Sequence, residues 1–178
     1  MNRIVWKTFT QEVSELLTDV VVVGSGAAAF SAAIAARKQG AAVIMLEKGE
    51  NVGGTTRRSG GGYWIPLNKW QKEAGYEDNR EDCIRYMARY SYPNLYNPEE
   101  QRYGIPQQEF ELLEAYVDNA HLMASDYEEW DALHSIMEIN WTGKGQVDYQ
   151  DHLPENKGIR GRTIYPRDGE GNIKISGR

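Results

Sequence analysis

The stretch that decides the fold is Asp19 to Gly62, DVVVVGSGAAAFSAAIAARKQGAAVIMLEKGENVGGTTRRSGGG. Val20 to Val23 is a continuous β-branched run, which predicts a parallel strand buried on both faces. Ala27 to Gln39 is rich in alanine and reads as a helix, with Gly40 placed to stop it. Val43 to Glu47 reads as a second strand. Strand, helix and strand in this order imply a right-handed crossover and a parallel pair, so the fold class is α/β.

The turn between the first strand and the helix carries the chemistry. In Gly24-Ser25-Gly26-Ala27-Ala28-Ala29, Gly24 permits the tight turn and Gly26 lets a pyrophosphate approach the backbone. Ala29 stands where a third glycine is usual and is still small enough for helix–strand packing. The helix start offers unpaired N–H groups and a positive dipole end to phosphates. Glu47 ends the second strand, about twenty residues on, where a carboxylate accepts hydrogen bonds from ribose hydroxyls. Such a Glu repels a 2′-phosphate but does not separate NAD from FAD. The second loop does. Gly53-Gly54-Thr55-Thr56-Arg57-Arg58-Ser59-Gly60-Gly61-Gly62 follows the second strand directly. An NAD-binding unit has no evident use for it, whereas FAD needs a backbone-lined path from pyrophosphate to isoalloxazine.

The bulk numbers bound the alternatives. The chain has 178 residues and a formal net charge of −6, which disfavours nucleic acid and anionic membrane as partners. Its single cysteine, Cys83, excludes an internal disulfide and sits in a helix-like pattern as a core residue. The start, MNRIVWKTFTQEVSELLT, lacks a signal-peptide apolar region. Val20 to Ala36 is free of charge for 17 residues, but its valine run followed by two glycines favours strand, turn and helix over a membrane span. The expected setting is cytoplasmic. The acidic block from Glu99 to Asp131 reads as a solvated helical face.

Further along, a short lead-in helix is expected at Gln11 to Leu17 and another helix at Glu81 to Tyr90. Tyr92 to Pro106 reads as a loop. Gln107 to His134 carries Phe110, Leu113, Val117, Ala120, Ala124 and Tyr127 at helical spacing, as one bent helix or two consecutive ones. Ile136 to Trp141 reads as a strand. Arg162 to Pro166 and Asn172 to Ser176 read as a hairpin around Asp168-Gly169-Glu170-Gly171. The histidines, His121, His134 and His152, are too scattered to form a metal site; His121 reads as structural, and His152 lies close in sequence to Tyr149. Arg57 and Arg58 could attract a carboxylate or a CoA-type substrate, but pairing with nearby acids or lining a cofactor is the preferred reading.

With these residues in place, the sequence resembles the fumarate reductase/succinate dehydrogenase flavoprotein superfamily, and especially its 3-ketosteroid dehydrogenase branch. The carriers are VVVGSGAAA at Val21 to Ala29, LEK at Leu46 to Lys48, and GGTTRRSGGGYWIP at Gly53 to Pro66. Weaker echoes are Asp148-Tyr149 and GRTIYP at Gly161 to Pro166. The resemblance implies that Gly24, Ser25, Gly26, Ala28 and Ala29 lie along the pyrophosphate turn. It implies that Glu47 holds the ribose and Lys48 flanks the adenosine. Gly54, Thr55, Thr56, Ser59, Gly60 and Gly61 would line the pyrophosphate and flavin. The covalent branch carries a flavin-linked histidine where this chain has Gly54, so non-covalent FAD is expected.

The resemblance also implies a reaction: hydride transfer between flavin N5 and a carbon beside an activating carbonyl or carboxylate. The substrate class is a ketone, an enone or a carboxylate, with a steroid or similar cyclic ketone first. Tyr149 is the catalytic candidate, a substrate-pocket tyrosine able to act as acid, base or hydrogen-bond donor. Two alternatives stay open: a fumarate-reductase-like enoate reductase, and a flavin-binding or regulatory subunit without catalysis of its own. The expected organisation is a Rossmann-like FAD-binding domain over residues 1–75, a helical segment over 76–134, and the start of an α+β substrate domain over 135–178. In this superfamily a late segment completes the FAD domain, so either a complementary polypeptide or a fragment is expected.

Overall fold

A computed structural model describes residues 16–174 of the chain. It divides into two compact units, one up to Arg57 and one from Arg58 onward. The lead-in helix expected at Gln11 to Leu17 falls almost wholly outside the described residues.

The first unit is built from strand β1 (Val20–Val23), helix α1 (Ala27–Lys38) and strand β2 (Val43–Leu46). β1 and β2 pair in parallel, with Val20 opposite Val43 and Val23 opposite Leu46. Thr18 donates to the Ala42 carbonyl at 2.7 Å, and the Ala42 N–H donates to Asp19 at 2.7 Å, so the two strands start in register. Gly40 takes a φ of +90°, the left-handed residue that closes the C-terminus of α1. Arg37 and Lys38 occupy the last turn, where the helix dipole favours cations.

β1 departs from the expected burial on both faces. Only Val22 is buried; Val21 and Val23 are 54% and 82% exposed. Successive side chains of a strand point to opposite faces, and among the described residues of this unit α1 covers one face alone.

The second unit contains a three-stranded antiparallel sheet in the order β3 (Tyr63–Trp64), β5 (Thr163–Pro166), β4 (Ser135–Met137). Trp64 pairs with Thr163, and Ile136 with Tyr165. Helices α2 (Lys69–Glu73), α3 (Arg80–Ser91) and α4 (Gln107–Glu129) complete it. α2 begins with a reciprocal capping box between Asn68 and Gln71, and α3 is capped by Asn79. α4 buries Leu113, Val117, Ala120 and Ala124 along one face. Leu113 and Val117 pack with Cys83, Ile84, Ala88, Tyr103 and Ile105. Ala120 and Ala124 pack with Ile65 and Ile164 under the sheet. Each of the buried isoleucines contributes about 1.5–3 kcal/mol of hydrophobic stabilisation. Cys83 is fully buried, as expected, and burial pushes its thiol pKa up.

Several sequence-based bounds shift. The 107–134 region is a single helix that ends at Glu129. Asp131 takes the left-handed conformation, and the N–H groups of Asp131 and Ala132 cap the carbonyls of Glu128 and Tyr127 in a Schellman arrangement. The strand expected at Ile136 to Trp141 is shorter and continues only as an isolated bridge between Ile139 and Gly145. The expected hairpin starts as drawn, with a bridge between Arg167 and Ile173; residues 175–176 lie outside the described residues. The compact division falls at Arg57. Pairing of β3 with β5 draws residues 63–64 into the second unit, and α3 packs on the 154–156 turn as well as on α4. Among the described residues no helix is long and apolar enough to cross a membrane.

Candidate functional site

In the first unit, the sequence motifs meet at the C-terminal ends of β1 and β2. Gly24 takes a φ of +97° and donates its N–H to the Leu46 carbonyl at 2.7 Å, so the chain leaves β1 by a turn that favours glycine. Ser25 is 1% exposed, and its hydroxyl donates to the Glu47 carboxylate. The same hydroxyl accepts the Gly53 N–H at 2.9 Å. One buried side chain thus ties together the first glycine turn, the end of β2 and the second glycine loop. A second tie runs from the Ala27 N–H to the Thr56 hydroxyl at 3.2 Å.

Glu47 also accepts the Gly49 N–H at 2.8 Å. The Ser25 hydrogen bond, followed by that of Gly49, holds its carboxyl below the usual carboxylate range, so it stays ionised. A carboxylate has about four acceptor positions, so capacity for further donors remains. Lys48, next in the chain, is exposed.

The arrangement fits a dinucleotide. Gly26 caps α1 without a side-chain hydrogen bond, and no acid occupies the first turn of the helix. A Cβ at Gly24 or Gly26 would meet nothing within 4 Å, so the space beside the turn is open to a phosphate. Gly54, at a φ of +51°, approaches so closely that a Cβ there would lie 3.7 Å from the Gly26 Cα. Ala28 and Ala29 lie in the first turn of α1, and Thr55 and Thr56 are exposed on the adjoining loop.

In the second unit, Ser59, Gly60 and Gly61 lead into β3, and the Gly61 N–H donates to the Ser59 hydroxyl at 3.2 Å. Gly62, next along, lies under the Tyr165 ring; an added Cβ would come within 2.7 Å of the ring Cζ. From β3, the Trp64 indole N–H donates to Asp148 at 2.8 Å. Asp148 also accepts from Arg162 at 2.9 Å, and Arg162 binds Asp78 with two nitrogens at 2.6 and 2.9 Å. The guanidinium carbon lies 5.4 Å from the Trp64 ring centroid and 5.8 Å from that of Tyr86. All three charged side chains are almost entirely buried, at 0%, 3% and 1% exposure for Arg162, Asp78 and Asp148.

Burial divides the two carboxylates. It disfavours the charge on Asp78, but the Arg162 hydrogen bonds and charge outweigh it, and the carboxyl lies below its ordinary value. For Asp148 burial prevails over Arg162 and Trp64, and the carboxyl is pushed up. Arg162 remains a cation throughout.

Tyr149 follows Asp148 and is 81% exposed. His152 on the same loop is exposed, whereas His121 sits on α4 with a buried Nδ1. Arg57 and Arg58 are exposed.

The structure therefore brings together Gly24, Ser25, Gly26, Glu47, Gly54 and Thr56 at one strand end. It links the segment after the glycine loop with the Asp148-Tyr149 pair through Trp64. Two roles were invisible in the sequence: the buried clasp of Ser25, and Arg162 as the counter-ion of two distant acids. The partners of Arg162 lie 84 and 14 residues away, and no local spacing announces them.

Comparison with known proteins places this site in a family. Residues 19–166 match the FAD binding domain family, and the chain belongs to it. The cofactor is FAD, as the glycine loops predicted. Among curated relatives, 3-oxosteroid 1-dehydrogenase from Comamonas testosteroni is 38% identical over 152 residues, covering 84% of this chain and 23% of the relative. Among solved structures, 3-ketosteroid Δ1-dehydrogenase from Sterolibacterium denitrificans, in complex with 1,4-androstadiene-3,17-dione, is similar at 29% identity. Its TM-score is 0.60, with 84% of this chain and 23% of that one covered. A flavocytochrome c3 fumarate reductase in an open conformation is similar at 25% identity and a TM-score of 0.54, covering 90% of this chain and 23% of that one. The resemblance drawn from the sequence is thereby borne out. The chain spans about a quarter of the length of these relatives.

Proposed function

We propose that this chain forms the adenosine- and pyrophosphate-holding part of an FAD-dependent dehydrogenase acting on a carbon–carbon bond beside a ketone. The observation that carries the reading is the Ser25 clasp, which brings an ionised Glu47 and two glycine loops to the open start of α1. Glu47 would accept the ribose hydroxyls. The backbone of Gly24 to Ala29 would bind the pyrophosphate, and the loop from Gly54 to Gly61 would follow the cofactor towards its ring. Residues 1–75 form the Rossmann-like part in this reading, residues 76–134 a helical segment, and residues 135–178 belong to the substrate domain.

Bound flavin supplies a two-electron acceptor at N5, with the cofactor held non-covalently because Gly54 stands where the covalent branch has histidine. The substrate loses one hydrogen as hydride and a neighbouring one as a proton to a basic side chain, and an external acceptor takes the electrons onward. Tyr149 is the residue proposed to touch the substrate, as hydrogen-bond donor to its carbonyl or as proton carrier. The steroid relatives favour a 3-oxosteroid-like cyclic ketone.

A second reading, reduction of an unsaturated carboxylate, is favoured by the likeness to the fumarate reductase. Turnover of a 3-oxosteroid with a dye acceptor against turnover of fumarate with a reduced dye separates the two. The cofactor assignment is tested by the flavin absorbance of purified protein. Gly26→Val fills the open space beside the turn and should abolish bound FAD; full retention of flavin by that variant would overturn the phosphate-turn assignment.

A further inference from the structure

Tyr149 sits on a loop whose backbone is held while its ring faces outward. Tyr149 is 81% exposed, whereas Asp148 immediately before it is 5% exposed. The Tyr149 carbonyl accepts two hydrogen bonds, from the Tyr86 hydroxyl at 2.7 Å and from Asn156 Nδ2 at 3.0 Å. The same Asn156 nitrogen reaches the Asp148 carbonyl at 3.1 Å, and Asn156 Oδ1 accepts the Gly158 N–H at 3.0 Å. Asn156 is completely buried. It uses the donor and the acceptor of its amide at once, which a carboxylate cannot do. Directly after Tyr149 the chain turns through Gln150 at a φ of +58°, a left-handed conformation that a non-glycine residue keeps only where its surroundings impose it.

The holding groups come from separate elements. Tyr86 lies on α3, Asn156 on the short turn after Leu153, and Trp64 on β3, two residues past Gly62. Burial, and then the charge of Asp148, push the Tyr86 hydroxyl pKa up, so it remains a protonated donor over the working range of pH.

We propose that Tyr86 and Asn156 are positioning residues for Tyr149, fixing where its phenol stands relative to the segment that follows the glycine loop. The inference rests on the reading of Tyr149 given above. Proton transfer and carbonyl polarisation need heavy-atom separations of about 2.6–3.2 Å. A misplacement of about 1 Å costs on the order of a hundredfold in rate. The phenol oxygen is far from the carbonyl, so a small rotation of the Tyr149 backbone becomes a large displacement at the reacting end.

The test uses FAD-loaded protein purified with any polypeptides that accompany it, assayed with a 3-oxosteroid and a dye acceptor. Tyr86→Phe keeps the ring stacked on Tyr90 and removes only the donor. It should lower kcat roughly tenfold at unchanged KM. It should have no further effect in a Tyr149→Phe background, because the two residues act as one unit. Asn156→Asp, which sets an acceptor against two carbonyls, should do the same. Independently of activity, Tyr86→Phe should move the Tyr149 carbonyl 13C resonance upfield, read through the Gln150 amide. Wild-type kcat in Tyr86→Phe alongside a large loss in Tyr149→Phe overturns the positioning inference and leaves the reading of Tyr149 standing. Equal losses from Tyr86→Phe in both backgrounds, or an unmoved carbonyl resonance, also overturn it. Full activity in Tyr149→Phe overturns that reading and this inference with it.

Discussion

The indole N–H of Trp64 donates to the carboxylate of Asp148 at 2.8 Å, joining the strand after the glycine loop to the residue before Tyr149. Trp64→Phe keeps an aromatic ring beside Tyr116 and the Arg162 guanidinium but removes this donor. A buried charge that loses a hydrogen bond costs about 1–3 kcal/mol. Burial already raises the Asp148 pKa, so its ionisation opposes folding as pH climbs above the unfolded value. The variant raises that pKa further. Its destabilisation, read from urea unfolding midpoints, should therefore be larger at pH 7 than near pH 4. A pH-independent loss would mean that only packing had changed.

Arg162 neutralises two carboxylates at once and is itself fully buried. Removing one member of such a network leaves uncompensated charge, at about 3–5 kcal/mol. Arg162→Met should accordingly unfold at much lower denaturant. Adding Asp78→Asn and Asp148→Asn should recover part of the loss, because the stranded charges are then gone. If the triple variant is no more stable than the single one, the arginine contributes through packing against Trp64 and Tyr86 instead.

Ser25→Ala should loosen the cofactor site without touching its glycines. The variant deprives Glu47 of its hydroxyl donor and leaves the Gly53 N–H without its acceptor. The Glu47 pKa should rise towards the ordinary carboxylate range, since the Ser25 bond is the main cause of its depression. FAD affinity, measured by quenching of flavin fluorescence, should fall roughly tenfold, equivalent to about 1.4 kcal/mol. Unchanged affinity would show that the two loops keep their places without the clasp.

The parts legible in the sequence were those in which local chemistry dictates structure. The valine run, Gly24, the alanine helix and Glu47 each announce themselves within a few residues, and together they specified the parallel pair and a dinucleotide, which the second glycine loop at Gly53 to Gly62 narrowed to FAD. The helical spacing of Leu113, Val117, Ala120 and Ala124 likewise marked the buried face of α4. What escaped depends on long-range pairing. The end of α4 is set by Asp131 in a conformation usually taken by glycine, so nothing in the pattern up to His134 signalled it. Arg162 reads only as the first residue of a hairpin strand until the fold brings Asp78 and Asp148 around it. Ser25 reads as a phosphate-turn residue until its side chain is seen turned inward to Glu47.

Gly62 is required for a close approach rather than for an unusual backbone angle. A Cβ there would lie 2.7 Å from Cζ and 2.9 Å from the hydroxyl oxygen of Tyr165. Gly62→Ala should destabilise the protein by about 1–3 kcal/mol through overpacking. Combining it with Tyr165→Ala should cost less than the sum of the two single changes, because the clash is relieved. Additive losses in thermal unfolding would place the strain elsewhere.

His134 supplies the clearest pH signature. Its Nδ1 lies 3.0 Å from Glu128 and its Nε2 2.6 Å from Asp131, while Arg167 approaches the same Glu128 at 3.3 Å. The Glu128 hydrogen bond, then that of Asp131, raise the imidazole pKa above its ordinary 6.5. A folded-state pKa above the unfolded one means that the protonated form favours folding. The contribution is fully present below about pH 6.5, the unfolded value, and fades as pH rises through the higher folded value. Urea midpoints should therefore decline across that window in the wild type. His134→Gln, which can still hydrogen-bond but does not titrate, should remove that part of the decline. An identical pH profile in the variant would assign the change to another group. The nearby Glu128 titrates in the opposite sense: its depressed pKa gives stability lost only as pH falls through the acid range, well below the histidine window.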